Sequence, residues 1–205
     1  MALWQEGDAP AASPVAHYLA DRGLSGILQH PELRPAIRFH PECPYERQRV
    51  PAMVALLTAI SDGRPMAVRR TALAADGHRR LDGQGAKLPH KALGPCTGAV
   101  VRISGPDAPS GALAVCEGLE TGLSLLAAGV SPLWACLSAG TMRGLPVLPG
   151  VSRLLIFADH DPPGLDAART VARRWTAADR AALVRFPETP GHDFNDVWLE
   201  QCCGH

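Results

Sequence analysis

Five carboxylates in the second half of the chain stand where chemistry on phosphate would need them. Glu117 closes the apolar run "ALAVCEG", Asp159 and Asp161 close "VSRLLIFADHD", and Asp193 and Asp196 follow "AALVRFP". Like charges one residue apart repel, so a cation between or beside Asp159 and Asp161 would relieve them. Mg²⁺, or Mn²⁺ in its place, suits such a pair: it is hard, takes oxygen ligands and keeps waters that a phosphate can displace. A metal there polarises a phosphoryl oxygen. Glu117, one strand away, is then placed to move a proton for an attacking or leaving hydroxyl. The plain alternative is that Asp-x-Asp is a solvated turn, with Asp161 before Pro162 capping the helix that follows. His160 lies between the two acids, and strand alternation points it away from them, toward a structural role.

Such acids need a scaffold, and from residue 111 onward apolar runs alternate with helical segments. "ALAVCEG", "PLWACLSAG", "VSRLLIFADHD" and "AALVRFP" read as strands, and "TGLSLLAAG", "PGLDAARTVARRWTAA" and "DFNDVWLEQC" as helices. This rhythm predicts an α/β fold with a parallel sheet covered by helices on both faces. Ligands of such sheets bind beyond the carboxyl ends of the strands, where Glu117, Asp159 and Asp161 fall. Trp134, Trp175 and Trp198 occupy apolar positions and read as core.

The first half differs. "SPVAHYLADRGL" reads as a helix with Ser13 as N-cap, Pro14 in the first turn and Gly23 as the stop. "PAMVALLTAISDGRPMAVRRTALAADGHRRL" reads as strands turning at Asp62-Gly63 and Asp76-Gly77, and "GPCTGAVVRISGP" as one more strand. The expected organisation is a loose N-terminus at 1–12, a smaller basic α+β module at 13–110 and the α/β domain at 111–205. Arg69 and Arg70 would point to opposite faces of a strand, so one of them faces any given groove. With Lys87, Lys91 and Arg102 they are the cations expected to meet phosphates, against the alternative that they are solvated hairpin faces.

Composition excludes several classes. The chain has 205 residues, 46% hydrophobic and 20% charged, with a formal net charge of zero, so bulk charge announces no nucleic-acid partner. No basic segment followed by an apolar core opens the sequence, and its apolar runs are too short to span a bilayer. Six cysteines without a Cys-x-x-Cys pattern fit a reducing, cytoplasmic setting better than a disulfide framework. The tail "CCGH" has no evident partner pair for zinc other than His40 and Cys43, and reads as a frayed end.

"VCEGLETGLSLLAAG", "LLIFADHDPPGLDAA" and "PGHDFNDVW", in that order, resemble the Toprim domain of DnaG-type primases, topoisomerases and some nucleases. The resemblance implies a Toprim-like sheet with an acidic Mg²⁺ site, Glu117 as general acid–base and Asp159 and Asp161 as metal ligands. "GHDFND" is similar to the primase Gly-x-Asp-Pro-Asp segment. That likeness adds Asp193 to the ligand set and places Asn195 near nucleotide, while Gly118, with Gly122, is expected to allow close backbone approach beside Glu117. Asn195 in an acid's place lowers the charge of any second metal site. "YLADRGL", "LRPAIRFHP" and "LGPCTGAVVRI" resemble the segment upstream of Toprim in phage- and plasmid-type primases. No zinc ribbon and no Walker-type phosphate loop accompany them.

The expected function is therefore a DNA primase-like, Mg²⁺-dependent nucleotidyltransferase. Its partners would be single-stranded DNA and nucleoside triphosphates in replication of a phage, plasmid or other mobile element, with a separate helicase or zinc-ribbon protein. The alternatives are a Toprim nuclease and a non-catalytic DNA-binding accessory protein. Thr121 and Ser124 are weaker candidates for phosphate contact. A haloacid-dehalogenase-like phosphatase needs a later lysine, and none follows Lys91. A topoisomerase needs a tyrosine nucleophile, and the chain offers only Tyr18 and Tyr45.

Overall fold

The computed structural model describes residues 2–203. The first half runs α1 (Ala2–Gln5), α2 (Pro14–Ala20), β1 (Ile37–Tyr45), β2 (Gln48–Ala59), β3 (Pro65–Ala72), β4 (Lys91–Leu93) and β5 (Ala99–Ser104). The second half alternates β6 (Gly111–Cys116), α3 (Leu119–Ala127), β7 (Leu133–Ala135), α4 (Ala139–Arg143), β8 (Val151–Phe157), α5 (Pro162–Ala177), β9 (Ala181–Arg185) and α6 (Phe194–Cys203). All the strands join one nine-stranded sheet in the order β4-β3-β2-β5-β7-β6-β8-β9, with β1 alongside β2.

Local chemistry explains most boundaries. Val15 N–H donates to the Ser13 hydroxyl at 3.2 Å, Pro14 starts α2, and Gly23, at φ 71°, takes the left-handed turn beyond its end. Asp62 Oδ1 accepts the Arg64 N–H at 3.0 Å and Gly63 has φ 74°, which closes the β2–β3 hairpin. The Asp76-Gly77 turn forms too, but it is flanked by a single bridge, Leu73 with Arg79, rather than by full strands. Strand β1 has no clean signal because Pro41 and Pro44 cannot donate to a ladder. Its register slips between His40 and Cys43, a bulge that accommodates this stretch.

The two halves share the sheet. β5 pairs antiparallel with β7, while β7, β6, β8 and β9 are parallel to one another. One core, between the sheet and α2 and α3, contains Tyr18, Leu123, Leu126 and Cys116, with Phe194 and Trp198 of α6 packed against it. The core on the opposite face packs Ala167, Val171 and Trp175 of α5 on Leu154 and Ile156 of β8. Central strands with both faces covered are mostly apolar, and every residue of β5 and β7 is buried, including Arg102 and Ser104 of β5.

The N-terminal residues are not loose. Leu3 and Trp4 are buried, Arg38 lies 4.7 Å from the Trp4 ring, and Asp8 pairs with Phe39. These two apolar side chains cover a face of the first hairpin that water would otherwise reach. Of the "CCGH" tail, Cys202 is exposed, and Gly204 and His205 lie outside the described residues.

A Cβ on Gly122 would stand 2.2 Å from Ile103 Cδ1 and 3.0 Å from Cys116 Sγ, so α3 approaches the sheet only because this residue is glycine. Gly122→Ala should cost about 1–3 kcal/mol, as overpacking does. Urea unfolding checks this: an unchanged midpoint would show that the helix has room to retreat.

Candidate functional site

Parallel register sets the acids side by side. Cys116 of β6 pairs with Phe157 of β8, so the chains leave the sheet together and deliver Glu117 and Asp159 to the same carboxyl edge. The next loop is drawn in by two backbone bonds: His160 N–H to His192 O at 2.9 Å and Gly191 N–H to His160 O at 2.8 Å. These bring Asp193 and Asp196 alongside. The His160 ring turns to Phe186, with centroids 5.0 Å apart, in the structural role expected of it.

Several acids also begin helices. Asp161 Oδ1 accepts the Gly164 N–H at 2.7 Å as N-cap of α5. Asp193 Oδ1 accepts from Asn195 N–H at 2.7 Å and Asp196 N–H at 3.0 Å, while Asp196 Oδ2 accepts from Asp193 N–H. Two of the four acids expected to hold the metal thus also serve as helix caps. Asp161 and Asp193 each commit one oxygen to a helix start. Among the described residues, no three His, Cys, Asp or Glu side chains converge as a preformed metal cluster.

Among the acids, Asp159 Oδ1 and Glu117 Oε2 are buried without a hydrogen-bond partner, as is Nδ1 of His160, next to Asp159 in the chain. Burial pushes the Asp159 carboxyl up to about 7, helped by repulsion from Glu117, Asp193, Asp161 and Asp196. Burial also raises Glu117, with Asp161 adding to the effect, while the Ala139 N–H and Arg69 oppose it. Buried acids with unpaired oxygens and mutual repulsion are what a divalent ion would relieve. Mg²⁺ typically binds through one or two carboxylates plus water and phosphate rather than in an all-protein cage, so this donor set fits it.

The cations divide by face, as alternation requires. Arg69 of β3 faces the Toprim half: its Nη1 donates to Leu137 O at 3.4 Å, and burial lowers its pKa while the charges of Glu120 and Glu117 oppose that. It lines a cavity of about 260 Å³ with His90, Lys91, Cys136, Leu137, Ser138 and Thr141. Arg70 is buried on the other face, against Tyr45 and bonded to the Pro44 and Ala92 carbonyls. Arg102 is also buried, stacked 4.6 Å over Trp134 and donating to Ala59 O and Ile60 O. Both arginines satisfy strand-end carbonyls and are not phosphate-facing cations. Lys91 lies on β4, paired with Glu46, and exposed Lys87 does not line the cavity. A larger cavity of about 840 Å³ opens elsewhere, beside Arg64, Trp134 and Pro149.

Further expectations are refined. Asn195 is fully buried: its Oδ1 accepts from Arg22 at 3.1 Å and its Nδ2 donates to Arg22 O and Ser124 Oγ. The amide it contributes is thus used up in joining α2, α3 and α6. Gly118 is the N-cap of α3, where a Cβ would lie 2.8 Å from Thr121 Oγ1, so its place in the fold is also a helix entry. Thr121 and Ser124 are buried and out of reach of phosphate.

A family model described as a domain of unknown function (DUF7146) matches residues 1–103, and a Toprim domain model matches residues 112–203. The chain belongs to the DUF7146 family and carries a Toprim domain. No curated protein matches its sequence. The primase fragment of the bacteriophage T7 primase-helicase aligns over 89% of this chain and 69% of its own, at TM-score 0.58 and 16% identity. A DNA primase domain from Pseudomonas aeruginosa aligns over 96% and 72%, at TM-score 0.60 and 15% identity. The DnaG primase catalytic domain bound to single-stranded DNA aligns over 98% and 75%, at TM-score 0.57 and 16% identity. Both halves of the chain thus share the fold of primase catalytic cores.

Two residues of the Toprim domain carried no clear signal in the sequence. Gly164 lets α5 sit against the acidic loop, since a Cβ would lie 2.8 Å from Asp159 O and 3.0 Å from Asp161 Oδ1. Glu120 is a buried carboxylate that accepts the Tyr18 hydroxyl at 2.8 Å, and it reads in sequence as one more polar residue of a helix.

Asp159 gives a pH prediction. Its native value of about 7 lies above the unfolded carboxylate value of about 3.9. Between these values the native state holds the extra proton, so metal-free stability falls as pH rises from about 4 to about 7, then levels. Asp159→Asn should flatten that slope and stabilise the metal-free protein at pH 8, as read by urea unfolding in EDTA. A parallel pH profile in the variant would contradict the assignment.

Proposed function

We propose that this DUF7146–Toprim protein is a DNA primase-type nucleotidyltransferase, using Mg²⁺ or Mn²⁺, nucleoside triphosphates and a single-stranded DNA template. The observation that carries the reading is the pair of unpartnered buried oxygens, Asp159 Oδ1 and Glu117 Oε2, on one carboxyl edge of a primase-core fold. Bound there, the ion supplies positive charge that stabilises phosphoryl oxygens. Asp159 would hold it, with the free oxygen of Asp161 and the neighbouring Asp193 contributing charge or water-mediated contact.

Glu117 Oε2 would accept a proton from an attacking hydroxyl, and the raised affinity for protons that burial gives it suits that task. Arg69 and Lys91 line the adjoining cavity and would bind the triphosphate, orienting it toward the acids. Lys87, exposed on the same module, is suited to a template phosphate, whose contacts weaken with salt. Helicase and zinc-ribbon functions would come from separate partners, in replication of a mobile element. No helix of the described residues is long and apolar enough to cross a membrane.

Tyr18 and Tyr45 are both buried, bonded to Glu120 and to Pro89 O, so neither is available as a topoisomerase-type nucleophile.

The test is incorporation of labelled nucleotides on single-stranded DNA with Mg²⁺, beside a nicking control without nucleotides. Synthesis by the wild type, with a loss of about 100-fold or more in Asp159→Ala and Glu117→Gln, is the expected result. Nicking without synthesis would replace the reading with a nuclease. No turnover under either condition would leave a DNA-binding accessory protein.

A further inference from the structure

We propose that the cavity of about 840 Å³ beside Arg102 and Trp134 is a second ligand site, which takes a small organic anion with a flat apolar body. It shares no lining residue with the cavity beside Arg69, and none of Glu117, Asp159, Asp161, Asp193 or Asp196 lines it. The inference therefore stands apart from the synthesis reading.

Both halves of the chain build the walls. Ile60 and Arg64 come from the turn between β2 and β3, Arg102 from β5, and Pro109 from the connection into β6. Trp134 and Leu148 come from the Toprim half. Apolar walls with a few polar groups, at a junction between two units, are the usual form of a small-molecule site.

Charge decides what fits. Arg102 is only 5% exposed and lies 4.6 Å from the Trp134 ring. Its Nη atoms donate to the carbonyls of Ala59, Ile60 and Asp107, which satisfies hydrogen bonds but leaves the charge unmatched. Among the described residues, the carboxylate it reaches is that of Asp107, 3.9 Å away and already bonded to Arg34 at 2.5 Å. Asp62 is taken by Arg64 at 3.4 Å, so three guanidinium groups meet two carboxylates here. A buried charge without a close partner is costly, and an anion in the cavity would relieve it.

Hydrogen bonding agrees with charge. Arg102 Nε and Trp134 Nε1 are both buried without a partner, and both residues line the cavity. Buried donors are normally paired, so two unpaired ones on a single stacked pair call for an acceptor. Ile60, Pro109 and Leu148 would cover the ring of the ligand while its anionic end turns to the guanidinium.

The test is an NMR titration of the full chain with naphthoate, beside naphthalenemethanol as the neutral probe with the same ring. The Trp134 indole N–H, assigned with Trp134→Phe, reports on the cavity. Naphthoate should shift it saturably, together with the Ile60 and Leu148 amides, and bind about tenfold or more tighter than the alcohol. Arg102→Met should erase that preference. It also frees three carbonyls, so Arg64→Glu is the second variant, exposed and without buried contacts to lose. It should weaken naphthoate about threefold or more, with the alcohol within about twofold.

Equal affinity for the acid and the alcohol would overturn the proposal. So would shifts centred on Arg69 and Leu137, or no saturable shift at millimolar naphthoate. An undiminished preference in Arg64→Glu, or in a folded Arg102→Met protein, would overturn it as well.

Discussion

Repulsion among carboxylates in a half-buried place is the constraint around which the site is built. Register between β6 and β8 forces Glu117 and Asp159 together, and the backbone bonds between the His160 and His192 segments add Asp193 and Asp196. Water cannot screen Asp159 fully, so it holds its proton to about pH 7. The fold offsets part of the cost by turning some acids into helix caps, where backbone N–H groups meet Asp161 and Asp193. What the caps leave unpaired, Asp159 Oδ1 and Glu117 Oε2, marks where a cation belongs.

The DUF7146 half completes the arrangement rather than merely preceding it. Strand β5 joins the antiparallel strands to the parallel ones, and Arg69 on β3 reaches across to Leu137 O in the Toprim half, the residue whose N–H donates to Glu117 O. Helix α2 is clasped from the other side: Tyr18 by Glu120, Arg22 by Asn195, and Gly23 O by the Trp198 indole at 2.7 Å. These contacts link residues more than a hundred positions apart, which ties the geometry of the acidic edge to the docking of the basic half.

What the sequence made legible follows period and punctuation. The Toprim strands and helices were readable because their apolar runs end at acids or glycines, and alternation correctly divided Arg69 from Arg70. β1 was not, because two prolines and a bulge break its pattern, and the five-residue α4 is too short to show a period. Burial of Arg102 and Asn195 was invisible, since nothing local distinguishes a guanidinium stacked on Trp134 from one in water. Glu120 was missed for a related reason: its partner Tyr18 is distant in sequence, and no spacing rule records it.

The most direct measurement of whether the acidic edge holds a divalent ion is anomalous diffraction from crystals containing Mn²⁺. A single strong peak in contact with Asp159, within water-mediated reach of Glu117, is the result expected. A peak on other residues, or none at millimolar Mn²⁺ in well-ordered crystals, would contradict the central claim.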